Sequence, residues 1–525
     1  MKKLLFLGFF IIIPTFHSLV FAQVKTVSGK VTSQEDGTPL PGVNVLIKGT
    51  ASGTVTDIEG NYRMEVEEGQ TLTFTFIGLV PQEILVGAPN VYDLQLRTDV
   101  RQLSEVIVTG YIVQDKREIT GSIASVSSAD FRDIPVTGMD QALQGLAAGV
   151  QVTQSSGTPG GGIQVRVRGS TSISASNRPL FIIDGVPVED GALALRSFGG
   201  QNDNALSTIN PNDIENIQVL KDASAKAIYG SRAANGVVLV TTKRGRSDSR
   251  TDIGFEVQRG IIDPTNRIQL LNSEQLLELQ REAVTNAGQN PDEQGLIPGV
   301  TNGVNTNWLD EIFRRGILQQ YQVNARGGND KTSFYLSGAY RDEEGVILNN
   351  KFERYTGMMN LDHKATSKLS FGSNLTLSRT QNHRVKGDNF LDGVYSGAVK
   401  SLPFYYPYDE LGRIIGPGTT AYAGFPNFNP VGQAVLPRFI TYTTKILGGV
   451  FAEYELTPNL RFRTKFSADY NGVSEDQFEP SSTAIGGFLQ SVGGRGYGVY
   501  STGTYSTIIN TNTLTYTTTL QGRHN

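Results

Sequence analysis

The chain holds 525 residues, 59 of them glycine, 20 tyrosine and 25 phenylalanine, with a formal net charge of -4. That length implies several domains, the glycine and aromatic content favours β-architecture with tight turns, and the charge offers no bulk attraction for nucleic acid. Cysteine is absent, which excludes disulfides, thiolate metal sites and a lipid-modified cysteine anchor.

Lys2 and Lys3 precede the apolar run Leu4 to Ile13, and Val20-Phe21-Ala22 ends in a small residue. This is the pattern of a secretory signal over 1–22, cleaved after Ala22. The run is short of the roughly 20 residues that a transmembrane helix needs. No later segment is a continuous apolar span of that length, so membrane insertion downstream must use β-strands.

From 23 to 98 short alternating strands are predicted: Val31, then Val43-Val45-Ile47, then Tyr62-Met64-Val66, then Leu72-Phe74-Phe76. Gly29, Asp36-Gly37, Pro41-Gly42, Gly60-Asn61 and Gly69 punctuate them. The spacing suits a small β-sandwich. Val27-Ser-Gly-Lys-Val31, Pro39-Leu-Pro-Gly-Val43 and Thr56-Asp-Ile-Glu-Gly-Asn-Tyr62 resemble the carboxypeptidase-regulatory-like domain. Peptidase activity is not implied, because the four histidines show no HxxE or HExxH spacing for a catalytic zinc.

Residues 99–115 read as a linker that carries Leu103-Ser-Glu-Val-Ile-Val-Thr-Gly-Tyr111. Taken alone, this is either a stray strand or an exposed strand that a partner captures by β-augmentation.

Residues 116–246 read as mixed α+β. Met139, Leu143, Leu146 and Val150 predict one helix face between Gly138 and Gly149. Ile163, Val165 and Val167 alternate with Gln164, Arg166 and Arg168 as a strand. Pro179 to Pro187 predicts a buried strand ending in a turn. Pro211 to Asp222 predicts a short helix running into a strand, and Asp222 to Gly236 a small-residue helical segment before the strand Val237 to Thr242. The glycines at 157 and 160–162 lack GxxxxGK[ST] spacing and follow the wrong element order for a phosphate cradle.

Gly185-Val-Pro187, Ile209-Asn-Pro-Asn-Asp-Ile214, Leu220-Lys-Asp-Ala-Ser224 and Tyr229-Gly-Ser-Arg-Ala-Ala-Asn-Gly-Val-Val-Leu-Val-Thr-Thr-Lys-Arg-Gly245 are similar to the plug of the SusC/RagA family, TonB-linked outer-membrane importers. With the leader and regulatory-like domain in family order, the resemblance covers about the first 246 residues densely. It implies that Glu105, Val106, Ile107, Val108, Thr109 and Gly110 form a TonB box.

From 247 to 525 the pattern fits part of an antiparallel transmembrane β-barrel. Leu460, Phe462, Phe466, Ala468 and Tyr470 share one face, while Arg461, Arg463, Lys465, Ser467 and Asp469 share the other. A cation directed at lipid costs about 2–4 kcal/mol near the midplane, so the apolar face is expected to meet lipid. Leu369-Phe371-Leu375-Leu377, Phe334-Leu336-Tyr340 and Val450-Ala452-Tyr454-Leu456 repeat the alternation. Helices are predicted over Asn272 to Asn286 and Trp308 to Phe313. The Pro-, Gly- and aromatic-rich stretch from Tyr395 to Pro437 suits an extracellular loop, with Tyr405, Tyr406, Tyr408 and Tyr422 as candidate ligand-loop aromatics.

The expected fold is therefore mainly β: a carboxypeptidase-regulatory-like β-sandwich, an α+β plug and an incomplete barrel of roughly ten strands. Barrels resembling this family close with 22, and the polar end Gln521-Gly-Arg-His-Asn525 leads to the expectation of a fragment of a longer protein. The resemblance implies import of an oligosaccharide or peptide across the bacterial outer membrane. Its implied partners are TonB with ExbB and ExbD, a SusD-like surface lipoprotein and outer-membrane lipid, with no cofactor and no enzymatic step. The competing readings are a truncated remnant or surface binding protein, and a siderophore or cobalamin receptor.

Overall fold

The computed structural model describes residues 24–518 apart from 35, 51, 77–78, 98–105, 110–111, 116–121, 174–175, 189–192, 194, 197–202, 223–225, 248–249, 266, 294–302, 388–391, 418–428 and 489–494. The leader, Glu105, Gly110, Tyr422 and the final residues lie outside the described residues. The chain divides into two compact units, one on residues up to 107 with 113–119, the other on 108–112 with 120 onward.

The first unit carries seven strands: β1 (Val24–Ser33), β2 (Asn44–Ile47), β3 (Gly53–Val55), β4 (Asn61–Glu67), β5 (Thr71–Thr75), β6 (Gln82–Leu85) and β7 (Leu94–Leu96). They form two sheets, ordered β4-β1-β7 and β3-β2-β5-β6. Of the apolar positions expected to face inward, Val31, Val43, Val45, Ile47, Tyr62, Met64, Val66, Leu72 and Phe74 make one core together with Val27, and Phe76 packs against it partly buried. The Tyr62 ring meets Phe74 edge-on at 5.3 Å, and its hydroxyl donates to the Tyr92 carbonyl at 3.0 Å. Gly29 is required here, since a β-carbon would collide with that same carbonyl.

β8 (Val106–Thr109) and β9 (Ile112–Asp115) form a separate two-stranded sheet. A two-residue connection permits only antiparallel pairing.

The plug is a five-stranded sheet ordered β10-β15-β16-β13-β14, built from β10 (Ile123–Ser127), β13 (Leu180–Ile183), β14 (Val186–Pro187), β15 (Ile214–Leu220) and β16 (Val237–Thr242). The hairpin of β11 (Val150–Gln154) and β12 (Ile163–Val167) stands beside it. Asp184 and Gly185, at φ 47 and 78, turn β13 into β14, the positive-φ pair that a two-residue hairpin demands. The helix predicted over Met139 to Val150 does not form. A 3₁₀ turn spans Gln141–Leu143, Gly145 and Gly149 adopt φ 77 and 72, and Val150 opens β11. The segment after Asp222 is helical but 3₁₀, Ala227–Ala233, and kinked at Gly230.

The remaining strands are β17 (Asp252–Ile262), β18 (Gly316–Gly328), β19 (Thr332–Glu344), β20 (Lys351–Lys364), β21 (Leu369–His383), β22 (Arg438–Thr457), β23 (Leu460–Glu479) and β24 (Tyr497–Tyr516). They pair antiparallel in strict chain order, eight among the described residues against roughly ten expected. Connections at one end are short, 329–331, 365–368 and 458–459. Those at the other include 263–315 and 384–437. Short periplasmic turns opposite long extracellular loops are the asymmetry of outer-membrane barrels. A membrane-crossing strand needs about 9–11 residues, so the 20-residue β22, β23 and β24 extend well beyond a bilayer core. Phe462, Phe466 and Tyr470 are exposed on the outer face, whereas Ser467, Asp469 and Asn471 are buried on the inner one. The expected register of β23 holds.

Candidate functional site

β8 coincides with the four central residues of the expected TonB box. Among the described residues it pairs only with β9, so one of its edges carries unused main-chain donors and acceptors. Such an edge is a template for a further strand.

The second functional region is the surface on which the plug meets the sheet. It is mostly polar. β18 contributes Gln322, whose amide donates to Asp213 at 3.1 Å, and β19 contributes Tyr335, whose hydroxyl reaches the same carboxylate at 2.9 Å. Asn210 completes the set through Gln322 and Asp213, at 3.1 Å to each. Burial holds the Asp213 carboxyl above its ordinary pKa in spite of these donors.

On β19 and β20, Arg341 and Arg354 are direct cross-strand partners, and both are 2% exposed. Like charges placed opposite one another destabilise a sheet unless compensated. Arg341 is compensated mainly within the sheet, by Glu343 at 2.8 Å and Gln320 at 2.8 Å, and it also donates to the plug's Thr137 hydroxyl at 3.2 Å and Pro135 carbonyl at 3.4 Å. Arg354 is compensated by the plug, its Nη1 donating to the carbonyls of Thr137 at 2.6 Å, Ser207 at 2.8 Å and Ile209 at 3.1 Å. The Thr137 hydroxyl donates to Glu343 at 2.8 Å. Nearby in the plug, Asn204 donates to Asp140 at 2.7 Å. Burial raises the Asp140 carboxyl to about 6, opposed by that hydrogen bond.

Further contacts continue around the inner face. Asn360 of β20 donates to Thr242 and Lys243 at 2.9 and 2.7 Å, Asn382 of β21 to Asp203 at 2.9 Å, and Lys465 of β23 to the Asp184 carbonyl. The Arg196 backbone N–H donates to Glu475 at 2.9 Å. Glu475 also faces Arg384 at 3.1 Å. Leu447 of β22 joins the plug's apolar core. A neutral hydrogen bond of this kind contributes only about 0.5–1.5 kcal/mol net, and one to a charged group about 1.5–3 kcal/mol, because water replaces it on separation. This surface can therefore part at lower cost than an apolar core of equal area.

The third region lies in the long loops. The helices Trp308–Ile312, Val394–Lys400 and Pro430–Val435 share a core of Trp308, Leu309, Ile312, Val394, Ala398 and Val431. Tyr395 to Pro437 is thus partly helical. Tyr405 packs against this core, and its carbonyl accepts from Thr306 at 2.7 Å, which gives it a structural role. Tyr406 and Tyr408 are exposed at 59% and 40%, and their rings are available to a ligand.

The arginine pair carried no signal in the sequence. Arg341 follows Tyr340 on the polar face of its strand, but its position opposite Arg354 depends on cross-strand register, which a single strand does not encode.

The TonB-dependent Receptor Plug Domain matches residues 115–237, and the CarboxypepD_reg-like domain matches residues 27–108. The TonB-dependent receptor P3 of Formosa agariphila is 36% identical over all of this chain and 49% of its own length. The TonB-dependent receptor SusC of Bacteroides thetaiotaomicron is 35% identical over 65% of this chain and 32% of its own. Among solved structures, the RagAB peptide importer in the open-open state superposes with a TM-score of 0.61 at 28% identity, covering 72% of this chain and 44% of that one.

The chain belongs to the SusC/RagA-type TonB-dependent receptors.

SusC/RagA receptors are outer-membrane proteins, which accounts for the apolar outer face of the strands. The chain spans about half the length, or less, of the curated relatives it matches.

Proposed function

We propose that the full-length receptor imports an oligosaccharide or peptide across the outer membrane, driven from the periplasm through β8. The observation that supports this reading most is the inner face of the sheet, where many hydrogen bonds meet the plug beside limited apolar contacts at Leu447 and Val473. A plug held in that way blocks the lumen at rest and leaves it under a directed pull. Energy for the pull comes from the inner-membrane proton gradient through TonB, ExbB and ExbD, with TonB pairing to the residues from Glu105 to Gly110 by strand addition. A SusD-like lipoprotein delivers cargo at the surface, where Tyr406, Tyr408 and Tyr422 stack on it. The peptide arm of the proposal draws on the similarity to the RagAB peptide importer. The receptor acts as a transporter and performs no covalent chemistry.

Replacing Val106 to Thr109 with a Gly/Ser stretch in the full-length receptor tests the coupling. Uptake should be abolished while surface expression is preserved. Unchanged uptake counts against the assignment.

A further inference from the structure

We propose that Arg354 is a positioning residue for plug opening, fixing Thr137 as the point where a pull from the N-terminal side first stops. The inference rests on the reading that force enters through β8.

Chain order sets the path. Tension applied before residue 122 reaches β10, then the short helix Ser128–Phe131, then Pro135 to Thr137. β10 lies at the edge of the plug sheet and is held by one ladder, of five residue pairs with β15. β15 and β16 each have two neighbours. Peeling β10 therefore breaks one ladder, although it also withdraws Val126, Phe131 and Val136 from the plug core. The next obstacle runs from Pro135 to Thr137: Arg341 donates to the Pro135 carbonyl at 3.4 Å and the Thr137 hydroxyl at 3.2 Å, and that hydroxyl and the Thr137 carbonyl are held by Glu343 and Arg354 of the sheet.

The same guanidinium also holds Ser207 and Ile209, residues that lead into β15. Arg354 thus joins the segment that would move first to the segment that anchors the sheet core. Among the described residues it makes no salt bridge, and the cation opposite it is Arg341. Three of its acceptors are main-chain carbonyls of the plug, which no plug side-chain replacement removes, and the fourth is the Asn210 side chain at 3.5 Å. If Thr137 is pulled away, Ser207 and Ile209 still engage the guanidinium, and the core sheet stays seated. Opening then proceeds in two stages, with the break between Thr137 and Ser207.

The experiment is force spectroscopy on the full-length receptor in lipid, with a tether at a cysteine introduced at Val113. The predicted first stage frees the residues from Ile123 to Val136, an extension of roughly 50 Å at about 3.3–3.6 Å per residue, and then pauses. Arg354→Gln should shorten the pause on the order of tenfold or more, as expected for losing hydrogen bonds to a buried charge. Arg354→Lys keeps the charge but loses the planar fork, so it should shorten the pause also, and it serves if the Gln variant fails to insert. Expulsion of the plug in a single event, or a pause unchanged in the variants, overturns the proposal. Because the tether replaces the periplasmic motor, this outcome does not depend on whether Val106 to Thr109 couples to TonB, which the uptake test decides separately.

Discussion

Asp140 is a carboxyl whose native environment disfavours its charge. Its pKa is raised by burial to about 6 from 3.8, so between roughly pH 4 and 6 the native plug holds a proton that the unfolded chain has released. Stability from this group is therefore fully present below about pH 4, falls as pH rises through 6, and stays lower above it. Two pKa units correspond to on the order of 3 kcal/mol. Asp140→Asn should flatten this dependence and slow hydrogen exchange at pH 7 in the amides of 137–147. Equal exchange in the two forms at pH 7 would show that the charge is not penalised there. No local signal marks this site, since Asp140 two residues after Gly138 looks like an ordinary helix start. Its hydrogen-bond partner Asn204 lies 64 residues away. Tyr405 shows the same limit: three nearby tyrosines look alike in the chain, and only the helical cluster around Trp308 distinguishes the packed one from the exposed ones.

Strands were legible because alternation is a local consequence of the pleat. β23 could be oriented from its own residues, as Arg463, Lys465 and Asp469 cannot share a face with lipid. Phe466, 52% exposed on the outer face of β23, tests that orientation. Phe466→Lys in the full-length receptor should lower unfolding free energy in lipid vesicles by about 2–4 kcal/mol, measured by urea titration against Phe466→Leu. Equal stability of the two variants would mean that this face does not meet lipid. Irregular elements were less legible. The apolar spacing from Met139 to Val150 matches a helix, yet Gly145 and Gly149 take left-handed conformations that end it, and Val150 is drawn into the ladder of β11 with β12. β8 was readable from its β-branched run, whereas its partner β9 ends in the polar Gln114 and Asp115 and offered no comparable pattern.

For the whole molecule, the sheet and plug form one mechanical system. The sheet supplies an apolar outer surface to lipid and a polar inner surface to the plug, and in the proposed mechanism β8 gives a periplasmic partner a place to pull. The succession of regulatory-like domain and plug was legible from their motifs, while the polar interface was not, because it is made by residues more than a hundred positions apart, such as Thr137 with Glu343. The central claim is energised import. The most direct measurement is uptake of labelled oligosaccharides and peptides by cells carrying or lacking the full-length gene, with the proton gradient intact or collapsed. The account predicts accumulation of at least one cargo that requires the gene and stops when the gradient is collapsed. Gene-dependent accumulation that continues at the same rate without the gradient would contradict it.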